Sequence, residues 1–361
     1  MLDGDYAVIL AGGKGERFWP MSTERRPKQF LDLFGGGSLL EQSVDRLEGL
    51  IPPERVLVIT NAELVDAARA AAPRLPTENI IGEPVGRDTA AAVALGLALV
   101  RARSPDAASC ILTADHVIGA HPRFRATLRE CLSLAHTEDV LITIGIQPNE
   151  ASTSFGYIEV GEALEARDGI GFFRARRFVE KPDQETAEAY LAGGKHFWNG
   201  GMFIWSVSAL DRALQLYAPA LHNLAAKLSK VVDGPGFDRA LADAYAPLER
   251  ISIDYAVMEK ADNIVMARGT FPWDDVGSWP AVAHHIDPNA EGNVVIGDTT
   301  ALDASGNIVV SPGRLTALIG VSDLVVVQAE GVTLVCPKDR AQDIKPLVQN
   351  LKESGRHASL L

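Results

Sequence analysis

YAVILAGGKGERFWPMSTERRPKQF, Tyr6 to Phe30, begins with a continuous apolar run that empties into three closely spaced glycines. The run Tyr6–Leu10, bounded by a glycine turn, reads as a β-strand buried on both faces. Gly12, Gly13 and Gly15 follow it, and without side chains their backbone N–H groups can approach an anion closely. Arg17 and Lys28 then add charge suited to phosphates, Arg by paired hydrogen bonds and Lys as a compact point charge. Two familiar nucleotide loops fail on spacing. A G-x-G-x-x-G loop starting at Gly13 needs glycine where the chain has Phe18, and G-x-x-x-x-G-K-[ST] occurs nowhere. A flexible turn that happens to be basic is the plainer reading. The density of strand, glycine loop, Arg and Pro-Lys in one short stretch outweighs it.

Working outward, strands and helices alternate. Ser38 opens a helix with Glu41 three residues later, the pattern of a capping box. Val56–Ile59 reads as the next strand, and Asn61 as the cap of another helix. Asp88 caps an Ala-rich helix running to about Arg103, then Ser109–Thr113 and, after a further helix, Val140–Ile144 are strands. Buried strands joined by helices predict an α/β fold, a doubly wound, mostly parallel, Rossmann-like sheet. From about 150, Tyr157–Val160 and Arg177–Val179 are predicted strands, and Asp183–Leu191 and Ser206–Tyr217 predicted helices. These pieces are expected to cover the sheet's carboxyl edge, where α/β ligands bind. After about 288, Val- and Ile-rich segments such as NVVIGDTT and GNIVV predict a small C-terminal β-rich domain. It is similar to a stub of left-handed β-helix, with a last helix near Asp339–Leu351. The expected division is a catalytic domain over 1–287 and a small domain over 288–361.

Composition narrows the partners. The 361 residues are 47% hydrophobic and 22% charged, ordinary for a globular chain, with formal net charge −13. Such a balance disfavours nucleic acid and anionic membranes as partners. Its basic residues concentrate in one place: residues 14–28 hold Lys14, Arg17, Arg25, Arg26 and Lys28 against only Glu16 and Glu24. A cationic loop on an acidic protein points to a small anionic substrate. Cys110, Cys131 and Cys336 are scattered, which argues against a disulfide framework or zinc site and fits a reducing cytosol; Cys110 reads as core. The longest apolar run, Ala90–Val100, falls well short of the roughly 20 residues a membrane span needs. The acidic start MLDGDYAVIL is unlike a signal peptide. The expected location is cytoplasmic.

Several polar residues invite two readings. Asp115, in LTADH at the end of an apolar strand, is by itself a turn or capping residue. With Asp275 in WDDVGSW, however, two carboxylates from distant segments become able to hold one octahedral Mg2+, leaving its other positions to water and substrate phosphates. In FVEKP, Glu180 and Lys181 point to opposite faces if extended, so one faces a site; the plainer reading is a surface ion pair. GEPVGRDTA, Gly82–Ala90, taken alone is a helix cap. No Ser–His or Cys–His arrangement stands out.

Leu10–Phe30 resembles the motif of sugar-nucleotide pyrophosphorylases, and its FWPMS and PKQF variants resemble the mannose-1-phosphate guanylyltransferase branch. The similarity continues in register through GEPVGRDTAAA, LTADHVI, GYIEV, FVEKP, FWNGGMF, ISIDYAVMEK, WDDVGSW and LVVVQAEGVTLVCPKDR, nearly the whole chain. The resemblance implies transfer of GMP from GTP to α-D-mannose-1-phosphate, giving GDP-mannose and pyrophosphate. It implies Mg2+ on Asp115 and Asp275, with Asp274 behind the ligands or facing solvent and His116 structural. Arg17 and Lys28 would draw charge onto the leaving pyrophosphate, and Lys181 would steady the sugar phosphate. Gly12, Gly13, Gly15, Glu83, Arg87 and Thr89 would bind nucleotide, and Gly156, Glu180 and Asn199 the sugar. A sugar-1-phosphate is already mostly dianionic, its second pKa being about 6, so no general base is required. A homodimer is also implied. A longer family form carries an isomerase domain, which this chain ends too early to hold. Gly200 departs from the family's usual Ser and bears on sugar selectivity. A nucleotidyltransferase for a glucose or heptose phosphate, or an inactive nucleotide-sugar-binding regulator, remain the competing readings.

Overall fold

The computed structural model describes residues 4–329, 331–355 and 357–361. Met1–Asp3 of the acidic start and Glu330 of the AEG turn lie outside them. The chain forms two compact units, each assembled from several passages. Met1–Gly12, Ser43–Ala114 and Ile118–Trp273 make the first; Gly13–Gln42, Asp115–Val117 and Asp274–Leu361 make the second.

The first unit is built on one nine-stranded sheet. Its strands are β1 (Tyr6–Leu10), β2 (Val56–Asn61), β3 (Ile80–Glu83), β4 (Ala108–Thr113) and β5 (Leu141–Ile146), followed by β6 (Tyr157–Ala163), β7 (Phe172–Val179), β8 (His196–Ser206) and β9 (Ile264–Gly269). The order is β3-β2-β1-β4-β8-β5-β9-β7-β6. β1 lies parallel between β2 and β4, with Ile9 opposite both Val58 and Leu112. β1 and β4 are buried throughout except at their last residue, as uninterrupted apolar strands require. The helix Thr89–Arg103, between β3 and β4, buries every residue from Ala90 to Val100. Being apolar all round, it belongs to the core rather than to a surface.

β3, β8 and β9 are strands that the sequence reading did not single out, and β8 is the most consequential of them. It runs antiparallel to both β4 and β5, in the middle of the sheet. Its Asn199-Gly200-Gly201 centre has poor strand propensity, and pairing on both edges overrides that. β6 and β7 likewise join the sheet instead of covering its carboxyl edge. Seven strands still run one way, with β7 and β8 reversed. Two other expectations bear on helix starts. Asn61 precedes a short 3-10 turn and makes no side-chain cap, contrary to its reading as a cap. Ser38 does cap its helix, accepting from Glu41 N–H at 3.1 Å.

In the second unit β10 (Val294–Leu302), β11 (Ile308–Ile319) and β12 (Leu324–Ala329) are parallel neighbours in sequence order, and β13 (Val332–Pro337) pairs antiparallel to β12. Parallel strands joined by short turns stack as coils, so aligned apolar residues form inward columns such as Val294, Ile308 and Val325. The turns are locked by two stacked buried asparagines. Asn293 Oδ1 accepts from Asn307 N–H and Nδ2, both at 2.9 Å, and Asn307 Oδ1 accepts from Leu324 N–H at 3.0 Å. The columns pack with Phe18, Trp19, Leu31 and Trp279, and with Ile344 and Val348 of the helix Ile344–Ser354. Each such burial contributes about 1.5–3 kcal/mol. Among the described residues no helix is long and apolar enough to cross a membrane.

Gly200 sits where the β5–β8 register shifts between Thr143 and Gly145. A Cβ there would stand 2.8 Å from the Ile144 carbonyl oxygen and 3.0 Å from Met202 Cε. Gly200→Ser is therefore expected to destabilise the fold by about 1–3 kcal/mol through overpacking, read as a lower midpoint in urea unfolding.

Candidate active site

Within the second unit the glycine loop folds back on Lys28. Gly15 is left-handed at φ 60°, and a Cβ on it would overlap the Lys28 side chain and stand 2.8 Å from Lys28 N, so only glycine permits this approach. Lys28 is 4% exposed, and its Nζ donates to Asp115 Oδ2 at 3.1 Å and to the Asp275 carbonyl at 2.5 Å. The Phe18 ring lies beneath it, 5.6 Å from Nζ to centroid. A buried ammonium demands such partners. Burial pushes Asp115 up, but the charges of Lys28 and His116 outweigh that and hold it below the usual carboxylate range. Asp275 goes the other way. Burial is the largest cause, with Asp274 and Asp115 adding repulsion, and Lys28 and Arg17 only partly offset them; its carboxyl is pushed up to about 6.

The WDDVGSW turn separates its two acids. Asp274 Oδ1 accepts from Val276 N–H at 2.6 Å, and its Oδ2 faces His285 Nε2 at 3.0 Å and His284 Nδ1 at 3.4 Å. Burial pushes Asp274 up, yet these hydrogen bonds bring it below the usual range. Val276, β-branched and buried, adopts φ 46°, a strained conformation that redirects the chain directly after Asp275. Arg17, Lys28, Asp115 and Asp275 thus form one electrostatic group. Asp115 and Asp275 offer hard oxygen donors, and burial makes the Asp275 carboxylate costly to leave uncompensated, which fits a dication bound through two carboxylates and substrate oxygens. Among the described residues no set of three or more His, Cys, Asp or Glu is arranged to hold a metal unaided.

The first unit gathers a second group. A Cβ on Gly156 would overlap Glu180 Oε2 and lie 3.6 Å from Asn199 Cβ, so Gly156, Glu180 and Asn199 are neighbours. Asn199 Nδ2 donates to Asp254 Oδ1 at 2.7 Å, while its Oδ1 accepts from Thr143 Oγ1 at 3.1 Å and Gly201 N–H at 3.3 Å. Asp254 was not singled out from sequence; its only signal was membership of ISIDYAVMEK. Burial, then repulsion from Glu180, pushes its carboxyl up to about 6 despite the Asn199 hydrogen bond. Lys181 Nζ lies 2.6 Å from Glu180 Oε1. β7 ends at Val179 and Lys181 is left-handed at φ 46°, so the extended alternation expected of this pair does not apply. Both residues line a single cavity of about 650 Å³, together with Asp88, Thr89, Arg250 and Asp254.

GEPVGRDTA is partly structural. Asp88 accepts from Thr89 N–H at 2.8 Å as the helix cap. Thr89 Oγ1 accepts from Ile253 N–H at 2.9 Å, and Arg87 Nη2 donates to the Ala246 carbonyl at 2.8 Å. Glu83 differs. It is 6% exposed, and among the described residues its Oε1 has no hydrogen-bond partner. Burial pushes it up to about 7, with Tyr245 hydrogen bonding in opposition and Asp88 adding to the rise. Gly12 lies nearby, since a Cβ on it would be 3.6 Å from Glu83 Oε2; one on Gly13 would meet open space. Neither neighbourhood sterically demands glycine.

The Nucleotidyl transferase family model matches residues 6–287, and the MannoseP isomerase/GMP-like beta-helix domain model matches 297–351. The chain is 37% identical to a mannose-1-phosphate guanylyltransferase of Escherichia coli K12 over 357 residues, 98% of this chain and 74% of that one. It is 39% identical to the Klebsiella pneumoniae protein of the same name over 352 residues, 97% of this chain and 74% of that one. A solved structure from Thermus thermophilus, described as a mannose-1-phosphate geranyltransferase, matches with TM-score 0.86 at 37% identity, covering 97% of this chain and 99% of that chain.

Glu83 makes stability depend on pH. Its folded pKa is raised, so relative stability is full below the unfolded value near 4.5 and is lost as pH rises to about 7. Glu83→Gln removes that loss. The variant is expected to be more stable than the parent at pH 8 by on the order of 2 kcal/mol, with the gap closing at pH 5, measured by thermal unfolding without ligand.

Proposed function

We propose, because this chain belongs to the nucleotidyl transferase family, that it transfers GMP from GTP to α-D-mannose-1-phosphate, releasing pyrophosphate. The observation that carries the reading is Lys28, held between Asp115 and the Asp275 carbonyl within one cluster that also includes Arg17. A phosphate oxygen of the sugar-1-phosphate attacks the α-phosphorus of GTP. The bond from that phosphorus to the bridging oxygen breaks, and the electron pair leaves with pyrophosphate. The nucleophile is already anionic, so the residues position it and neutralise charge.

Arg17 and Lys28 take the charge growing on the pyrophosphate. Asp115 and Asp275 would hold Mg2+, which when bound supplies charge neutralisation across the phosphates. The acids of the WDDVGSW turn divide the work: Asp274 is occupied by Val276 N–H and faces the His285 and His284 rings, leaving the Asp275 carboxylate for the cation. Lys181 steadies the sugar phosphate. Gly156 leaves room for the Glu180 carboxylate, which accepts sugar hydroxyls, and Asn199 is oriented by Thr143 and Asp254. Gly12, Gly13 and Gly15 present backbone to the triphosphate, and Arg87 and Thr89 frame the nucleoside. Glu83 reads the base. Guanine presents two adjacent donors, N1–H and N2–H, where adenine and the pyrimidines do not, and a carboxylate accepts both. The same reading takes the enzyme to be cytoplasmic and homodimeric.

Two measurements test it. Pyrophosphate release in Mg2+ is expected from GTP with mannose-1-phosphate, and not from ATP, UTP or dTTP, nor from glucose-1-phosphate. Release with another pair moves the specificity assignment to Gly200 and residues 82–90; no release from folded protein with any pair overturns the enzyme reading. Asp275→Asn is expected to cut turnover by on the order of 10²-fold or more with the fold preserved in circular dichroism. Unchanged activity would remove Asp275 from the metal site.

A further inference from the structure

The cationic loop carries its own opposition. Among residues 14–28, Glu16 and Glu24 are the acids, and Glu16 shares the short 3-10 turn Glu16–Phe18 with Arg17. Lys352, in the helix Ile344–Ser354, reaches both: its Nζ lies 2.9 Å from Glu16 Oε1 and 2.9 Å from Glu24 Oε1. Lys14 stands farther from Glu24, at 3.9 Å. A separate tie joins the opening loop to the chain's last residues, Trp19 Nε1 donating to the Leu360 carbonyl at 2.8 Å.

The pairing favours the charged forms. Hydrogen bonding and charge from Lys352 hold Glu24 below the usual carboxylate range. Burial alone would lower the Lys352 ammonium, but its hydrogen bonds to Glu24 and Glu16 raise it instead. Glu24 is 57% exposed on its side chain, and ion pairs this open add little to stability. Their effect is on the local field. An unpaired Glu16 carboxylate would repel a triphosphate and compete with it for the adjacent guanidinium.

We propose that Lys352 is a positioning residue, neutralising Glu16 and Glu24 so that Arg17 meets the nucleoside triphosphate with its charge unopposed. This rests on the function proposed above. The helix Ile344–Ser354 is then part of the nucleotide-binding apparatus and not only a structural appendage.

The test is steady-state kinetics on the full chain for Lys352→Met, for Lys352→Arg, and for the triple variant Lys352→Met/Glu16→Gln/Glu24→Gln. Lys352→Met is expected to raise KM for GTP about fivefold to tenfold and leave KM for mannose-1-phosphate within about twofold. Lys352→Arg should stay near the parent, and the triple variant should return to the parental KM because no carboxylate remains to neutralise. A folded Lys352→Met enzyme with parental KM for GTP overturns the proposal. So does a defect that the triple variant retains, since that would make Lys352 a mechanical tie. Where Lys352→Met does not fold, the triple variant decides alone. Parental turnover with GTP and mannose-1-phosphate is the control: its absence defeats the proposed function, whereas its presence with contrary variants defeats only the Lys352 role.

Discussion

A single buried ammonium organises the second unit's chemistry. Lys28 cannot lie 4% exposed without acceptors, and it finds them in Asp115 and in the backbone of Asp275. Its position in turn depends on Gly15, because any side chain there would displace it. The strained Val276 and the occupied Asp274 follow from the same need, since they fix the turn that offers the Asp275 carbonyl. The loop, the Asp115 segment and the WDDVGSW turn are therefore one construction, held at its centre by one charge.

The carboxyl groups divide by what already satisfies them. Asp115 and Asp274 sit below their usual range because Lys28 and His116 serve the first, and Val276 N–H with the neighbouring histidines the second. Glu83, Asp254 and Asp275 are pushed up to about 7, about 6 and about 6, burial leading in each case. A carboxyl that burial makes costly to ionise is one that a substrate hydroxyl, a base edge or a dication can relieve. These raised carboxyls lie in the three places to which base, sugar and metal are assigned.

The central strands and the glycine loop were legible because their signals are local: Tyr6–Leu10 is apolar throughout, and three glycines follow it. β8 was not legible, because Asn199-Gly200-Gly201 is a strand only by virtue of two partners distant in sequence. Local alternation also failed at Lys181, whose left-handed backbone obeys no strand rule. Asp254 escaped for a similar reason, since its importance lies in accepting from Asn199, 55 residues away. Lys352 is more remote still, a helix lysine whose partners lie in the opening loop. Motif reading found residues that touch ligands in a family; it does not find those that hold them in place.

The long separations have a temporal consequence. Lys28 meets Asp115 across 87 residues and the Asp275 carbonyl across 247, while Trp19 meets Leu360 across 341. At about 5–20 residues per second, the ribosome makes Asp275 roughly 12–50 s after Lys28. Through that interval the Lys28 ammonium lacks the Asp275 carbonyl, one of its two acceptors, and cannot be fully buried at low cost. The first unit's parallel strands β1, β2 and β3 can pair during synthesis, but the glycine loop that carries Lys28 cannot complete its hydrogen bonds until the last quarter of the chain emerges. A chain stalled before Asp275 would thus hold Lys28 by one acceptor in place of two, with its basic loop still in solvent.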